Sequence, residues 1–326
     1  MATQVGSGQK TRGFASAHAG TIAVLAGAAV LALAPLADST YLVSALTEVL
    51  ILSIFALSLG FLMGFPKLIS LGHAAFFGAG AYAAGLIAVH VDANVVFTLL
   101  AGLGVALLLA LVIGVVSLRS SGIYFLMITL ALAQMVYVVS QRWESLTGGT
   151  NGLVGIPYPE LFSVLDFDRE TFFYLALILA AGSYFLLRAV MGSPFGKILI
   201  GIGSNEGRMR AIGYSTRGYK LTAFVLAGAI AGIDGALWAH SNGIVAPADL
   251  HWSNSAEALI MVIVGGAGTL IGPMLGAALV WILENALSPY TERSTLITGI
   301  VFILFVFFAR DGIAGMARSA WGRVRR

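Results

Sequence analysis

Apolar runs long enough to cross a bilayer recur along the whole chain and constrain its fold more than any other feature. They lie near 17–37, 41–64, 69–90, 95–118, 122–140, 171–190, 218–240, 257–287 and 294–310. A transmembrane helix needs about 20 mostly apolar residues. Charged residues make up only 10% of the 326 residues, whereas a soluble domain carries about 25%. The sequence therefore predicts an all-α integral membrane protein.

The positions of the basic residues predict how these runs are oriented, because Lys and Arg concentrate in cytoplasmic loops. Lys10 and Arg12 precede the first run, and the stretch 191–220 is strongly basic, whereas 141–170 is net acidic. We therefore place both termini and 191–220 in the cytoplasm, and 141–170 outside. Two cytoplasmic termini require an even number of crossings. About ten membrane segments result if the glycines of 257–287 divide that run into two short segments.

These assignments divide the chain into a cytoplasmic tail over 1–16, a transmembrane domain over 17–310 and a second cytoplasmic tail over 311–326. A cleaved signal peptide is the competing interpretation of the first run, because Ala32-Leu33-Ala34 resembles a cleavage site. The run approaches the length of a full span and exceeds the 7–15 residues or so of a signal-peptide core. We favour a retained first helix.

Several classes of function find no support in the sequence. There are no cysteines, no His-Glu-x-x-His motif and no cluster with metal-ligand spacing. The stretch 6–11 resembles a phosphate-binding loop, but Gln9 occupies the position of its second required glycine. Basic residues interleaved with aromatics, as nucleic-acid binding needs, are also missing. We predict no catalytic residue, metal or cofactor for this chain, so any ATP and Mg²⁺ would bind to partner subunits.

The basic stretch 191–220 contains a predicted short helix with exposed apolar residues. Ser204 or Asn205 can cap its start, Glu206 suits its first turn, and Gly213 is placed to end it. Such a helix suits docking into a groove on a partner protein, although a solvated basic loop remains the alternative interpretation. The predicted coupling residues are Asn205, Glu206, Arg208, Met209, Arg210, Ile212 and Gly213.

Polar residues inside predicted spans are candidates for a translocation path. Asp234 requires a partner or a water-filled cavity, whereas the lone His73 suits a packing role as well as a ligand role. The glycine-rich stretches 72–80 and 265–272 resemble each other; such interrupted segments mark either a mid-membrane pathway or two packing helices. The path candidates are Ser70, Gly72, His73, Gln134, Asp234 and Gly268.

With these residues in view, the chain resembles the permease subunits of ATP-binding-cassette importers of the branched-chain amino acid type, specifically the permease with the longer N-terminus. The likeness covers roughly residues 45–315 and includes the Ser70-Leu71-Gly72-His73 motif. The segments that carry it are 68–82, 122–125, 147–157, 193–196, 205–206, 213–214, 219–221 and 265–276.

The resemblance implies a bacterial inner-membrane location, a second permease subunit, two cytoplasmic ATPases and an external substrate-binding protein. It also implies that residues 204–214 form the coupling helix that an ATPase receives. Gly60, the stretch 65–68, the pair Gly203-Ser204 and Asp234 depart from the family's usual residues. These departures leave the substrate open among branched-chain amino acids, urea, short amides and aromatic acids.

Two functions of other classes compete with this interpretation. An ion-coupled transporter or channel needs intramembrane charges in relays or rings, and such charges are sparse in this sequence. An intramembrane enzyme needs paired catalytic residues at a recognisable spacing, which the sequence lacks.

Overall fold

Helices make up most of the computed structural model, which describes residues 27–37, 39–161 and 165–287 together with 299, 300, 302, 303, 312, 313 and 315. Ten of the helices are labelled in chain order: α1 Thr40–Gly64, α2 His73–His90, α3 Val95–Ser117, α4 Ile123–Arg142, α5 Arg169–Gly192, α6 Pro194–Ser204, α7 Glu206–Ala211, α8 Thr216–Asn242, α9 Trp252–Gly265 and α10 Ile271–Leu287.

Six of these helices, α1 to α5 and α8, are long and apolar enough to cross a membrane, which confirms the prediction of an all-α membrane protein. The run 257–287 forms the two short apolar helices α9 and α10, as its glycines predicted. Residues 17–26 of the first run, most of the ninth run and both termini lie outside the described residues. The total of ten segments and the cytoplasmic termini therefore remain predictions.

Small residues pack α8 directly against α2 and α3. A Cβ atom at Gly232 would meet Ala106 Cβ and would lie 2.6 Å from Gly102 O. A Cβ atom at Gly80 would lie 2.6 Å from the Cα of Gly232. The three helix backbones thus touch, which is how membrane helices gain dispersion energy where lipid removes the hydrophobic drive. Gly228 and Gly232, four residues apart on α8, thus form a packing face against α3.

A second glycine-rich contact joins α1 to the hairpin formed by α9 and α10. A Cβ at Gly60 would meet the ring of Pro273, and one at Gly64 would meet the carbonyl oxygen of Ala267. Within the hairpin, a Cβ at Gly276 would lie 2.9 Å from Gly265 N. The Gly60/Gly64 pair therefore brings α1 close to the hairpin, and the Gly272/Gly276 pair brings α10 close to α9 within it.

Residues 65–72 form a non-helical return segment between α1 and α2. His73 Nε2 at the start of α2 lies 2.7 Å from Ser58 Oγ on α1. Six further residues of α1 follow Ser58, so α1 extends about 9 Å beyond this level. Ser70 is fully buried, and Lys67 has a φ of 60° where the chain turns back. Helix α2 therefore begins recessed inside the protein.

The stretches 141–170 and 191–220, which join long helices, contain short strands and helices of their own. In the first, β1 (Leu153–Val154) pairs antiparallel with β4 (Ile244–Val245), and β2 (Glu160–Leu161) pairs with β3 (Leu165–Asp166). The second is mostly helical, since α6 and α7 and the first turns of α8 occupy it. The turn after α4 is fixed by the Thr147 hydroxyl, which lies 2.6 Å from Ser140 O.

Candidate functional site

Helix α6 extends the predicted coupling segment by eleven residues that the sequence did not reveal as helical. Ser193 ends α5 and starts α6: its hydroxyl accepts a hydrogen bond from Gly196 N at 3.4 Å, and Pro194 occupies the first helical position. Pro is favoured there because its missing N–H would have no partner in a helix. Leu199 and Ile202 are buried, so α6 lies against the membrane helices.

Helix α7 has the capping residues that its sequence predicts. Asn205 is the N-cap, and its side-chain oxygen accepts from Arg208 N at 2.9 Å. This settles the choice between Ser204 and Asn205. Gly213 has a φ of 96°, in the left-handed region, and the bonds Gly213 N to Arg210 O and Tyr214 N to Met209 O close the helix end. These two bonds form a Schellman motif.

The side chains of α7 divide between an open face and a contact with α6. Arg208 is exposed, and Ile212, directly after α7, is 65% exposed. Met209 is not one of the exposed apolar residues that the sequence predicts for this helix. It is half-buried, and its sulfur would lie 2.8 Å from a Cβ at Gly201 on α6. The open apolar surface of α7 is therefore smaller than the sequence predicts, and Met209 fixes α7 on α6.

Glu206 is the polar centre of this segment. Its carboxylate accepts from Arg210 Nη2, Thr216 Oγ1 and Lys220 Nζ, each at 3.0 Å. Partial burial alone would raise the pKa of Glu206, but the hydrogen bond and charge of Lys220, helped by Thr216 and Arg210, outweigh burial and lower it. Glu206 is therefore charged near neutral pH. Beyond the place in the first turn that the sequence predicted, it binds side chains of α7 and α8.

Ser70, Gly72 and His73 meet at a buried junction of four helices. Ser70 Oγ accepts from Gly72 N at 3.2 Å, and Ser255 Oγ of α9 accepts from Ala74 N at 2.8 Å. A Cβ at Gly72 would lie 2.7 Å from Thr129 O of α4. The His73 ring stacks on Phe55 at 5.6 Å and meets Phe76 edge-on at 5.7 Å. These contacts give His73 a packing role within this structure.

The other three path candidates lie apart from this junction. Asp234 is fully buried on α8, and neither carboxylate oxygen has a hydrogen-bond partner among the described residues. Gln134 is half-buried on α4, where its Oε1 likewise lacks a partner within the described part of the chain. Gly268 is exposed in the turn between α9 and α10. Hydrogen bonds among the described residues do not join these three candidates to the junction, and their place in a translocation path remains a prediction.

Sequence reasoning missed four residues that organise these regions: Ser58, Thr216, Lys220 and Ser255. Lys220 counted only as one of the basic residues of a cytoplasmic loop, yet it is 4% exposed and bonded to Glu206. Two features of the sequence could have indicated this ion pair. Lys220 lies near the start of a predicted span, and Glu206, fourteen residues earlier, is the only acidic residue of 191–220. Serine and threonine hydroxyls have no comparable pattern in sequence.

Comparison with known proteins decides the family. Residues 41–309 match the family described as the permease component of the branched-chain amino acid transport system. The chain belongs to this permease family. The permease is 30% identical over 297 residues to the high-affinity branched-chain amino acid transport system permease protein LivM of Escherichia coli K12 and to that of Salmonella typhimurium LT2. Each alignment covers 83% of this chain and 69% of the relative.

A probable branched-chain amino acid transport permease protein LivM of Methanocaldococcus jannaschii is 24% identical over 176 residues, which cover 53% of this chain and 50% of the relative. No solved structure matches the permease. The family and the six apolar helices together establish a multi-pass inner-membrane transport protein and confirm the resemblance found from the sequence motifs.

Proposed function

We propose that this permease is the membrane-spanning subunit of an ATP-binding-cassette importer and forms, with a second permease, the path for branched-chain or related amino acids. Two cytoplasmic ATPases would bind ATP and Mg²⁺, and an external binding protein would deliver the substrate. The family supports the permease role. The partners, the domain limits at 16 and 310, and the site residues are part of the proposal.

The observation that carries the proposal is the construction of α6 and α7. A six-residue helix is too short to be stable alone, because helix nucleation is unfavourable. Here α7 is capped by Asn205, closed by Gly213 and held on α6 through Met209. It presents Arg208 and Ile212, both exposed, and the Arg208 guanidinium has no hydrogen bond or ion pair within the described structure. A fixed helix with an open basic and apolar tip suits a groove on a partner.

In this mechanism, ATP binding closes the pair of ATPases, and the closure displaces α7. The displaced helix changes the relative positions of the membrane helices and exposes the path alternately to each side. ATP and substrate must each bind the two conformations with unequal affinity, because a ligand shifts an equilibrium only through that difference.

Charge reversal at the tip tests the proposal. Arg208→Glu with Arg210→Glu should abolish co-purification of ATPase subunits and uptake of radiolabelled leucine while leaving membrane insertion intact. A matched control, Arg119→Glu with Arg142→Glu, changes two exposed arginines outside 191–220 by the same charge and should retain both activities. Normal uptake in the Arg208/Arg210 variant would contradict the coupling assignment.

Reconstitution of the purified chain without partners tests the rival function. Ion-driven solute flux from this chain alone would show an ion-coupled transporter and would overturn the proposal. Uptake assays with urea, acetamide and benzoate in place of leucine would distinguish the alternative substrates within the same architecture.

A further inference from the structure

The contact between Glu206 and Lys220 connects the short helix α7 to the first turns of α8. We propose that this ion pair is the positioning link that transmits displacement of α7 to α8; the inference rests on the proposed importer function. Neither residue touches substrate or nucleotide in this proposal. Their part is to make α7 and the long membrane helix move together.

Few side-chain contacts connect helix α7 to the membrane helices in the described structure. None of its six residues is buried, so α7 has no apolar core of its own. The cap at Asn205 bonds to α7 itself, and the contact of Met209 with Gly201 connects α7 to α6. The side-chain hydrogen bonds of α7 that reach α8, among those the structure describes, are those that Glu206 accepts from Thr216 and Lys220.

Burial makes the Lys220 contact the stronger of the two ion pairs of Glu206. Lys220 is 4% exposed, and its Nζ lies 3.0 Å from the carboxylate. Arg210 has the same separation, but its side chain is 66% exposed on the same short helix. Exposed pairs are screened by water and contribute little, whereas charges shielded from solvent attract each other more strongly. Lys220 therefore determines where Glu206 sits.

A displacement at Lys220 would reach the interior because α8 is the central helix of the fold. Its backbone touches α2 at Gly80 and α3 at Gly102, so α8 carries these helices with it. The buried carboxyl of Asp234 lies fourteen residues further along α8, about 21 Å from Lys220 along the helix axis. The ion pair thus connects the cytoplasmic tip to an unpaired polar group deep in the bundle.

The test compares transport with ATP hydrolysis in the assembled complex. Complexes of the full chain with its ATPases and second permease are reconstituted into proteoliposomes with the binding protein, and ATP hydrolysis and radiolabelled leucine uptake are measured together. Lys220→Met, which keeps the length of the side chain without its charge, should retain assembly and hydrolysis and lower leucine taken up per ATP at least tenfold. Glu206→Gln should act in the same direction.

Two further variants separate linkage from structural damage. The double variant Glu206→Lys with Lys220→Glu reverses the pair and should recover at least half of the wild-type ratio of uptake to hydrolysis. Lys197→Met removes an exposed lysine of α6 and should leave the ratio unchanged. A merely structural role would lower hydrolysis and uptake in parallel, with no rescue by the reversed pair.

The outcomes are distinct. A wild-type ratio in Lys220→Met overturns the link, as does a reversed double variant that assembles but recovers no transport. If Lys220→Met fails to assemble, the reversed double variant is decisive. Assembly of the double variant with recovered transport supports the link, and its failure to assemble overturns the link. A wild-type complex that neither hydrolyses ATP nor takes up leucine refutes the importer function itself, and the inference falls with it.

Discussion

Replacement of Gly232 by alanine should destabilise the permease, because the added methyl group has no room between α3 and α8. The new Cβ would collide with Ala106 Cβ and would lie 2.6 Å from Gly102 O, where ordinary contacts begin near 3.4 Å. Both obstacles are rigid, one a backbone oxygen and the other a Cβ atom without a rotamer. Helices α3 and α8 must therefore separate by roughly 1 Å, and overpacking of this kind costs about 1–3 kcal/mol.

Gly104→Ala provides the matched control. It adds the same methyl group to α3, where no atom lies within 4 Å of the new Cβ, and alanine is favoured over glycine in a helix by about 0.5–1 kcal/mol. Because both variants gain this helix preference, it cancels, and the two should differ by the overpacking cost of about 1–3 kcal/mol. Unfolding of the detergent-solubilised protein by a titration with dodecyl sulfate, followed by circular dichroism, measures this difference. Equal stability of the two variants would refute the backbone-to-backbone packing of α2, α3 and α8.

Two further predictions concern ionisable residues. The pKa of Glu206 lies below its usual value of 4.5, so its ion pairs should stabilise the protein fully above that pH and less as the pH falls through the lowered pKa. The thermal midpoint of the wild type should exceed that of Glu206→Gln by a constant margin between about pH 5 and 7; a margin unchanged well below pH 4 would contradict the ion pairing. Asp234→Ala removes a buried carboxyl without a partner among the described residues and should leave stability equal or higher, because such a group costs about 1–3 kcal/mol, while leucine uptake falls at least tenfold. Unchanged uptake kinetics would return Asp234 to a structural role.

The sequence predicts the membrane helices well because length and apolarity determine them almost alone. The six long helices begin and end within a few residues of the predicted runs, and 257–287 divides where its glycines are. Helix α6 was missed because it lies in a stretch whose charges indicated a loop, although Ser193 and Pro194 together are a helix-start signal. The recessed start of α2 was also missed, since it depends on a contact between Ser58 and His73.

Local chemistry was more predictable than long-range pairing in the candidate site. Residue type alone assigned Gly213 to the end of α7 and reduced its N-cap to Ser204 or Asn205, because capping needs only a side chain and a backbone a few residues apart. The bond between Glu206 and Lys220 spans fourteen residues and depends on how α7 folds back on α8. The six path candidates were grouped by polarity, and polarity does not place residues on the same side of a helix bundle.

The interlocked backbones of α2, α3 and α8 restrict how this transporter can change shape. Two helices that meet through long side chains can slide as those side chains change rotamer, but glycine and alanine offer no rotamers to exchange. Any sliding of α8 along Gly102 or Gly80 would bring methyl groups and carbonyl oxygens into collision. These three helices must then move as one rigid piece relative to the rest of the bundle.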